Sequence, residues 1–306
     1  METLPISITL ITLLLLILLI YCLCVNNENF SLKSKSKSKS ESNNKIRDYL
    51  KKYTGKSIIL MPFDGNSGDA LILYGTISLL NDLNIDYKFG DINKDYNNEI
   101  ILINGGGNLV GVYKDVKNII KKYQDSNKVI LLPHTIKDED SLLKNLNKNT
   151  DIFCRELISY NYVKNIAKYP ENIRLDHDMA FQIKKLNKIQ ELINNNNNNN
   201  NNNKTANCYR IDVEKTDIVI PEDNNDISST IGEYNQVKNT ESNERVVKKF
   251  LSYLSNYDTI NTNRLHVAIG SSLLDKHVNF YANNYYKNKA IYDYSIKNKY
   301  PKTKFK

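Results

Sequence analysis

Short β-branched runs at 57–63, 100–103, 129–132 and 151–154 alternate with helical patterns at 70–81, 115–123, 141–147 and 159–167. Each run is bounded by Gly, Pro, Asn or Asp, so the chain turns as soon as a strand ends. Strands that alternate with helices in this way predict a parallel sheet covered by helices, an α/β fold. A second, smaller unit of the same kind is expected from 218–220, 245–257, 265–274 and 278–280. In such sheets ligands bind at the carboxyl ends of the strands, so the loops after the strands become the candidate site.

Those loops carry the unusual residues. After the first run come Asp64, Gly65, Asn66, Ser67, Gly68 and Asp69; after the second, Asn104, Gly105, Gly106, Gly107 and Asn108. His134 follows the third run and Arg155 the fourth. Glycines there let backbone N–H groups approach an anion or a sugar. They also serve tight turns for geometry alone, and both readings stand. The first loop is neither a P-loop nor a dinucleotide fingerprint. Further on, Thr262-Asn263-Arg264-Leu265-His266 opens an amphipathic helix, with Thr262 or Asn263 as the expected cap. A helix start favours anions, and Arg264 and His266 add a guanidinium and a titratable imidazole. His134 and His177 have structural readings, and Arg210 with Asp212 reads first as an ion pair that fixes a loop.

Of the 306 residues 41% are hydrophobic and 25% charged, ordinary values for a globular chain. The net charge of +8 is spread over a Lys-Ser repeat and a lysine-rich tail. No aromatic-plus-basic RNA motif and no zinc spacing accompany it, so it reads as solubility and anion handling rather than nucleic-acid binding. The four cysteines form no disulfide framework or metal set, and Cys154 and Cys208 read as packing residues. No metal or cofactor is expected.

Residues 4–25 contain no charge and only Pro5 as a breaker, enough apolar length to cross a bilayer as a helix. The run is longer than a usual signal-peptide core and nothing basic precedes it, which favours a signal anchor. The expected organisation is an anchor over 1–25, a flexible stem over 26–45 and an N-terminal lobe over 46–193. A poly-Asn linker over 194–204 and a C-terminal lobe over 205–306 with a polar tail complete it. Residues 237–243 and the tail after Asn298 are expected to be mobile. Lys33, Lys35, Lys37 and Lys39 favour a cytosolic body, whereas the sequons at Asn29 and Asn203 are usable only in a lumen.

Taken in order, GNSGDALILYGT, INGGGNL, LLPHTI, FCRELISY, LDHDMAF, CYRID and TNRLHVAIGSSLL, with NNYYKNKAIYDY behind, resemble the polysaccharide pyruvyl transferase family. The resemblance covers about Ile58 to Tyr294. It implies a GT-B-like architecture of two Rossmann-like lobes facing a cleft. It also implies transfer of pyruvate from phosphoenolpyruvate to sugar hydroxyls of a glycan, forming a ketal. Arg264 and His266 match the family's Arg-Leu-His and Arg155 its Arg-Glu element, which makes these the expected catalytic residues. Asn66, Gly68, Asp69, Gly105, Gly106, Gly107, Asn108, His134 and Lys287 are the expected substrate-binding residues. Phosphoenolpyruvate carries a carboxylate and a phosphate, so it needs convergent cations, and histidine suits the proton transfers. A membrane-bound enzyme of the secretory pathway, Golgi-like, is the placement implied. The alternatives are a GT-B glycosyltransferase using a nucleotide sugar, or a non-catalytic glycan-binding protein.

Overall fold

A computed structural model describes residues 45–63, 65–111, 113–183, 204–231 and 239–306. The expected anchor, the stem and the poly-Asn tract lie outside the described residues. Among the described residues no helix is long and apolar enough to cross a membrane.

The chain enters through α1 (Lys45–Leu50) and continues into β1 (Ser57–Met61), α2 (Ser67–Asp82) and β2 (Asp86–Phe89). Then come β3 (Ile100–Ile103), β4 (Gly106–Leu109), α3 (Asp115–Tyr123) and β5 (Lys128–Ile136). α4 (Asp140–Lys144), β6 (Thr150–Cys154), α5 (Leu157–Ile166) and β7 (Ile173–Leu175) follow. Among the described residues these strands form one sheet in the order β2-β1-β3-β5-β6-β7, with β4 paired to β5 and all pairs parallel. The chain leaves β1 towards β2 on one side and returns to β3 on the other. That reversal is the flavodoxin-like variant of a doubly wound sheet, and it opens a crevice between the loops after β1 and β3.

The second sheet is built from β8 (Thr205–Asn207), β9 (Thr259–Thr262), β10 (His277–Phe280) and β11 (Thr303–Phe305). α6 (Ile227–Thr230) and α7 (Thr240–Ser255) precede β9; α8 (Leu265–Leu273) and α9 (Lys287–Ile291) flank β10. Its order is β11-β10-β9-β8, again parallel, with no reversal among the described residues.

α2 joins the two sheets. Ile72, Leu73, Ile77 and Leu80 pack with β1, β3 and β5, while Ala70 and Leu71 belong to the core of the second sheet. A helix buried on both faces shows no polar stripe, which explains its almost unbroken apolar sequence. Asn243 of α7 is fully buried and donates from Nδ2 to the Ala70 carbonyl at 2.9 Å. The described residues form one compact unit.

Three expectations are corrected. Residues 218–220 are not a strand; Val219 is 88% exposed, and the first strand of the second sheet is β8. The tail after Asn298 is ordered: Thr303 and Phe305 pair with Val278 and Phe280, and the Ser272 and Thr303 hydroxyls lie 2.7 Å apart. The 239–243 stretch is a helix start, capped by Asn239, which accepts from the Ser242 N–H. Polar composition misled there because the buried polar groups are satisfied by specific partners.

Candidate functional site

The loops after β1, β3 and β6 meet the loops after β8, β9 and β10 around a cleft of about 330 Å³. Of the residues singled out in the sequence, Asn66, Asp69, Gly107, Asn108, Arg155, Arg264, His266 and Lys287 line it. Gly68, Gly105, Gly106 and His134 do not; they lie behind the wall.

The first wall begins with the start of α2. Asn66 caps the helix, accepting from the Gly68 N–H at 2.8 Å, and the Asp69 carboxylate accepts from the Asn66 N–H at 2.9 Å. This reciprocal box fixes both side chains. A Cβ on Gly68 would stand 2.5 Å from His266 Nδ1, so glycine is what lets the imidazole seat on the helix start. Gly107 plays the matching part for Arg155, since a Cβ there would come within 2.6 Å of Nη2. His134 is fully buried, and its Nε2 lies 2.8 Å from Asn108 Oδ1. Burial, with Arg155 nearby, pushes its pKa well below the ordinary histidine value. Its ring is placed to orient Asn108, which lines the cleft.

Arg155 is 1% exposed. Its Nε donates to Thr135 Oγ1 at 2.8 Å and its Nη1 to Asp178 Oδ2 at 2.7 Å. The same Asp178 oxygen lies 3.4 Å from His266 Nε2. Burial works to raise the Asp178 carboxyl, but His266, Arg155 and the Ala180 N–H outweigh it and hold it well below the carboxylate range. Asp178 thus links an arginine of the larger sheet to the histidine of α8. The motif LDHDMAF contains it, but nothing in the spacing singled it out.

Arg264 stands at the N-cap position of α8, with no side-chain cap on that helix. The expected cap is displaced: the Thr262 hydroxyl accepts from the Arg264 N–H at 2.9 Å, and Asn263 Oδ1 from the Arg210 N–H at 2.8 Å. The guanidinium is already engaged. Nε and Nη2 donate to Asp226 at 2.8 and 2.5 Å, Nη2 also to Ser229 Oγ at 3.1 Å, and Nη1 pairs with Asp212 at 2.7 Å. An arginine has five N–H donors, so little remains for a ligand while Asp212 stays in place.

Arg210 shares this web. It holds Asp212 through Nε at 2.8 Å and Nη2 at 3.1 Å, and Glu214 through Nη1 at 2.5 Å. The expected ion pair exists, and Arg210 also lines the cleft. Glu214 reaches Lys287 Nζ at 2.5 Å as well. Burial, against the pull of Glu214 and with Arg210 and Arg155 adding to it, brings Lys287 down to about 8. In the sequence Arg210 and Asp212 read only as a local ion pair, and Glu214 and Asp226 escape sequence reasoning because their partners Lys287 and Arg264 are distant in the chain. His177, by contrast, lies off the cleft lining, bonded to Ser295 Oγ at 2.9 Å and lowered to about 4 by burial and Lys299. Cys154 and Cys208 are buried packing residues whose thiols burial pushes up, Cys208 to about 12. Among the described residues no group of His, Cys, Asp and Glu is placed to hold a metal.

The sequence profile of the polysaccharide pyruvyl transferase family matches residues 66–285, the stretch that carries both walls. The chain belongs to that family. EpsO of Bacillus subtilis (strain 168), itself named a pyruvyl transferase only provisionally, is 25% identical over 262 residues. That similarity spans 74% of this chain and 81% of EpsO. Among solved structures, KP1_0663 from Klebsiella pneumoniae subsp. pneumoniae NTUH-K2044, described as functionally uncharacterized, superposes with a TM-score of 0.75 at 34% identity. It covers 87% of this chain and 99% of its own length is matched.

Proposed function

We propose that the chain moves pyruvate from phosphoenolpyruvate onto two hydroxyls of a glycan sugar, releasing inorganic phosphate. One observation carries this reading. Arg155, Arg210, Arg264 and Lys287 converge in one cleft around His266, at the uncapped start of α8. A ligand with a carboxylate and a phosphate matches convergent cations and an open helix N-terminus.

The chemistry follows from these groups. A proton reaches the methylene carbon, which becomes a methyl group, while one sugar oxygen bonds to the central carbon. A second sugar oxygen then bonds to that carbon as the C–O bond to phosphate breaks. Of the two hydroxyl protons, one balances the new methyl C–H and the other leaves with phosphate. His266 is the group placed to move these protons, with Asp178 orienting its ring. Arg155 presents Nη2 beside Gly107 to the donor, and Lys287 supplies a second positive charge. Asp212 and Glu214 must yield their cations to the incoming anion.

The test is to supply the full-length chain with phosphoenolpyruvate and simple galactosides or mannosides, following phosphate release and the ketal methyl signal. Neither product with any acceptor, together with binding of a nucleotide sugar, would overturn the reading. Tight sugar binding without turnover would instead leave a glycan-binding protein. The same proposal places residues 4–25 in a secretory-pathway membrane with the two lobes on the luminal side. Glycosidase sensitivity at Asn203 supports that placement; a protease-accessible, unglycosylated body in sealed microsomes contradicts it.

A further inference from the structure

Two of the partners that fix Arg264 sit on a very short element. Asp226 accepts from its Nε and Nη2 at 2.8 and 2.5 Å, and Ser229 Oγ from Nη2 at 3.1 Å. Ser229 belongs to α6, a helix of four residues that starts directly after Asp226. A single helical turn has little stability of its own, so its place is set from outside. Ile227, fully buried, ties the start of α6 into the core of the second sheet. The far end is tied to the other sheet's helix. Ser67, the first residue of α2, is fully buried, and its hydroxyl donates to the Ile231 carbonyl at 2.9 Å. The Ser228 and Ile227 carbonyls lie 3.3 and 3.4 Å from the same oxygen. The end of a helix leaves C=O groups without intrahelical donors, and this hydroxyl meets them.

We infer that Ser67 is a positioning residue of the cleft: by holding α6 in register with α2 it aims the Arg264 guanidinium, and so sets the affinity of the cationic side for an anion. α2 is the rigid member of the pair, because its apolar residues are built into the cores of both sheets. The link runs from Ser67 to the Ile231 carbonyl, along α6 to Ser229 and Asp226, and from these to Arg264. A guanidinium presents its donors in a fixed fork, so a small shift of the groups that hold it redirects the whole fork. Ser67 itself lies behind the cleft lining, whereas Ser228 of the held turn is part of it. The next residue serves the imidazole directly, since a Cβ on Gly68 would stand 2.5 Å from His266 Nδ1. Two successive residues of α2 thus register both cleft residues at the start of α8. For its effect on turnover the inference rests on the pyruvyl transfer reading; for anion binding it does not.

The experiment measures binding of inorganic phosphate to the full-length chain by calorimetry, in the wild type and in Ser67→Ala, Ser67→Thr, Ser67→Cys and Ser272→Ala. Ser272, at the far end of α8, has a buried hydroxyl that donates to the Ala268 carbonyl at 2.7 Å, so its loss controls for a general fall in stability. Ser67→Ala is expected to weaken phosphate binding about threefold to tenfold, the range for one lost hydrogen bond. Ser67→Thr keeps the hydroxyl and should return binding to within about twofold of wild type. Ser67→Cys, close to serine in size but a weaker donor, should lie between Ser67→Ala and wild type. Ser272→Ala should bind as wild type although its urea midpoint falls. With phosphoenolpyruvate, Ser67→Ala should raise KM by the same factor and leave kcat in place. Equal phosphate binding in Ser67→Ala and wild type, none in either included, overturns the inference. The same weakening in Ser272→Ala, or a folded Ser67→Thr that stays weak, overturns it too. Phosphate binding that shifts as expected in a chain that never turns over phosphoenolpyruvate keeps the positioning role and removes the transfer reading. Turnover with a KM unmoved by Ser67→Ala does the opposite.

Discussion

The side of the cleft contributed by α2, β4 and the approach to α3 presents amides, close-packed glycines and the carboxylates of Asp69 and Asp115, which have no cation partner among the described residues. The side contributed by the loops after β8, β9 and β10 presents cations already held by carboxylates. The first is preorganised by local geometry: the Asn66–Asp69 box closes within a single turn of chain. The second is preorganised by charge, most of it long-range, since Arg264 depends on Asp226 and Lys287 on Glu214, with Arg210 held by Asp212 close by in the chain. A seat of the first kind suits a neutral ligand that docks without rearrangement. A seat of the second kind suits an anion that must displace an internal competitor, so occupying it can be coupled to movement of the 210–215 loop.

The largest effect should separate chemistry from binding at the junction of the two sides. His266→Ala is expected to lower turnover by about 10²–10⁴-fold, the range for losing a positioned acid–base group. The KM for phosphoenolpyruvate should change little, because the ring is not among the cations that hold the donor. Phosphate release under saturating donor checks this; an equal loss in both parameters would make His266 a binding residue.

Next comes Arg264→Ala, where the engaged geometry predicts a stability effect. Asp226 is 2% exposed in its side chain and would lose both guanidinium donors. Breaking one side of a buried pair costs about 3–5 kcal/mol. The urea midpoint should fall accordingly, and Arg264→Ala combined with Asp226→Ala should recover part of the loss. If the single change leaves the midpoint unmoved, Arg264 is a free donor-binding group and the contrast between the two sides collapses.

The two sides also differ in how legible they were. The glycines and Asn66 announced themselves because turns and caps are chemically local, and the runs around β1, β3, β5 and β6 were visible as β-branched blocks. The short strands were not. β8 is Thr-Ala-Asn, β9 is Thr-Ile-Asn-Thr, and each carries a single buried apolar residue, too little for any periodic signal. Arg155, Arg264 and His266 could be picked out by motif, yet Asp178 and Asp226 could not, because an ion pair across 23 or 38 residues leaves no pattern in the chain. His134 has two readings in the sequence, structural and substrate-binding, and its burial with Nε2 2.8 Å from Asn108 Oδ1 favours the structural one.

A smaller effect should appear in the pH dependence of donor binding. Lys287, at about 8, is charged below that value and neutral above it, and a bound anion favours the charged form. Affinity for phosphoenolpyruvate should therefore fall as pH rises through about 8, by up to tenfold if binding raises the Lys287 pKa by about one unit. Lys287→Arg keeps its charge throughout and should flatten the curve. Titrations of both proteins between about pH 7 and 9.5 decide it. A parallel decline in the two would place the titrating group elsewhere.

The smallest effect is the most direct test of the internal competitor. Burial works to raise the Asp212 carboxyl, but Arg210 and Arg264 overcome this and hold it at about 2, so it remains ionised wherever the protein is folded. The donor must then compete with a fixed negative charge for Arg210 and Arg264. Because the Asp212 side chain is 39% exposed, solvent screens the pair and its net worth is at most about 1 kcal/mol. Asp212→Asn should accordingly tighten binding of phosphoenolpyruvate, or of inorganic phosphate as a simpler probe, by about twofold to fivefold. The opposite outcome carries information too. If binding weakens, Asp212 does more to aim the two guanidinium groups than to block them. The cationic side would then be preorganised in the same sense as the glycine side, with an oriented site in place of a displaceable charge.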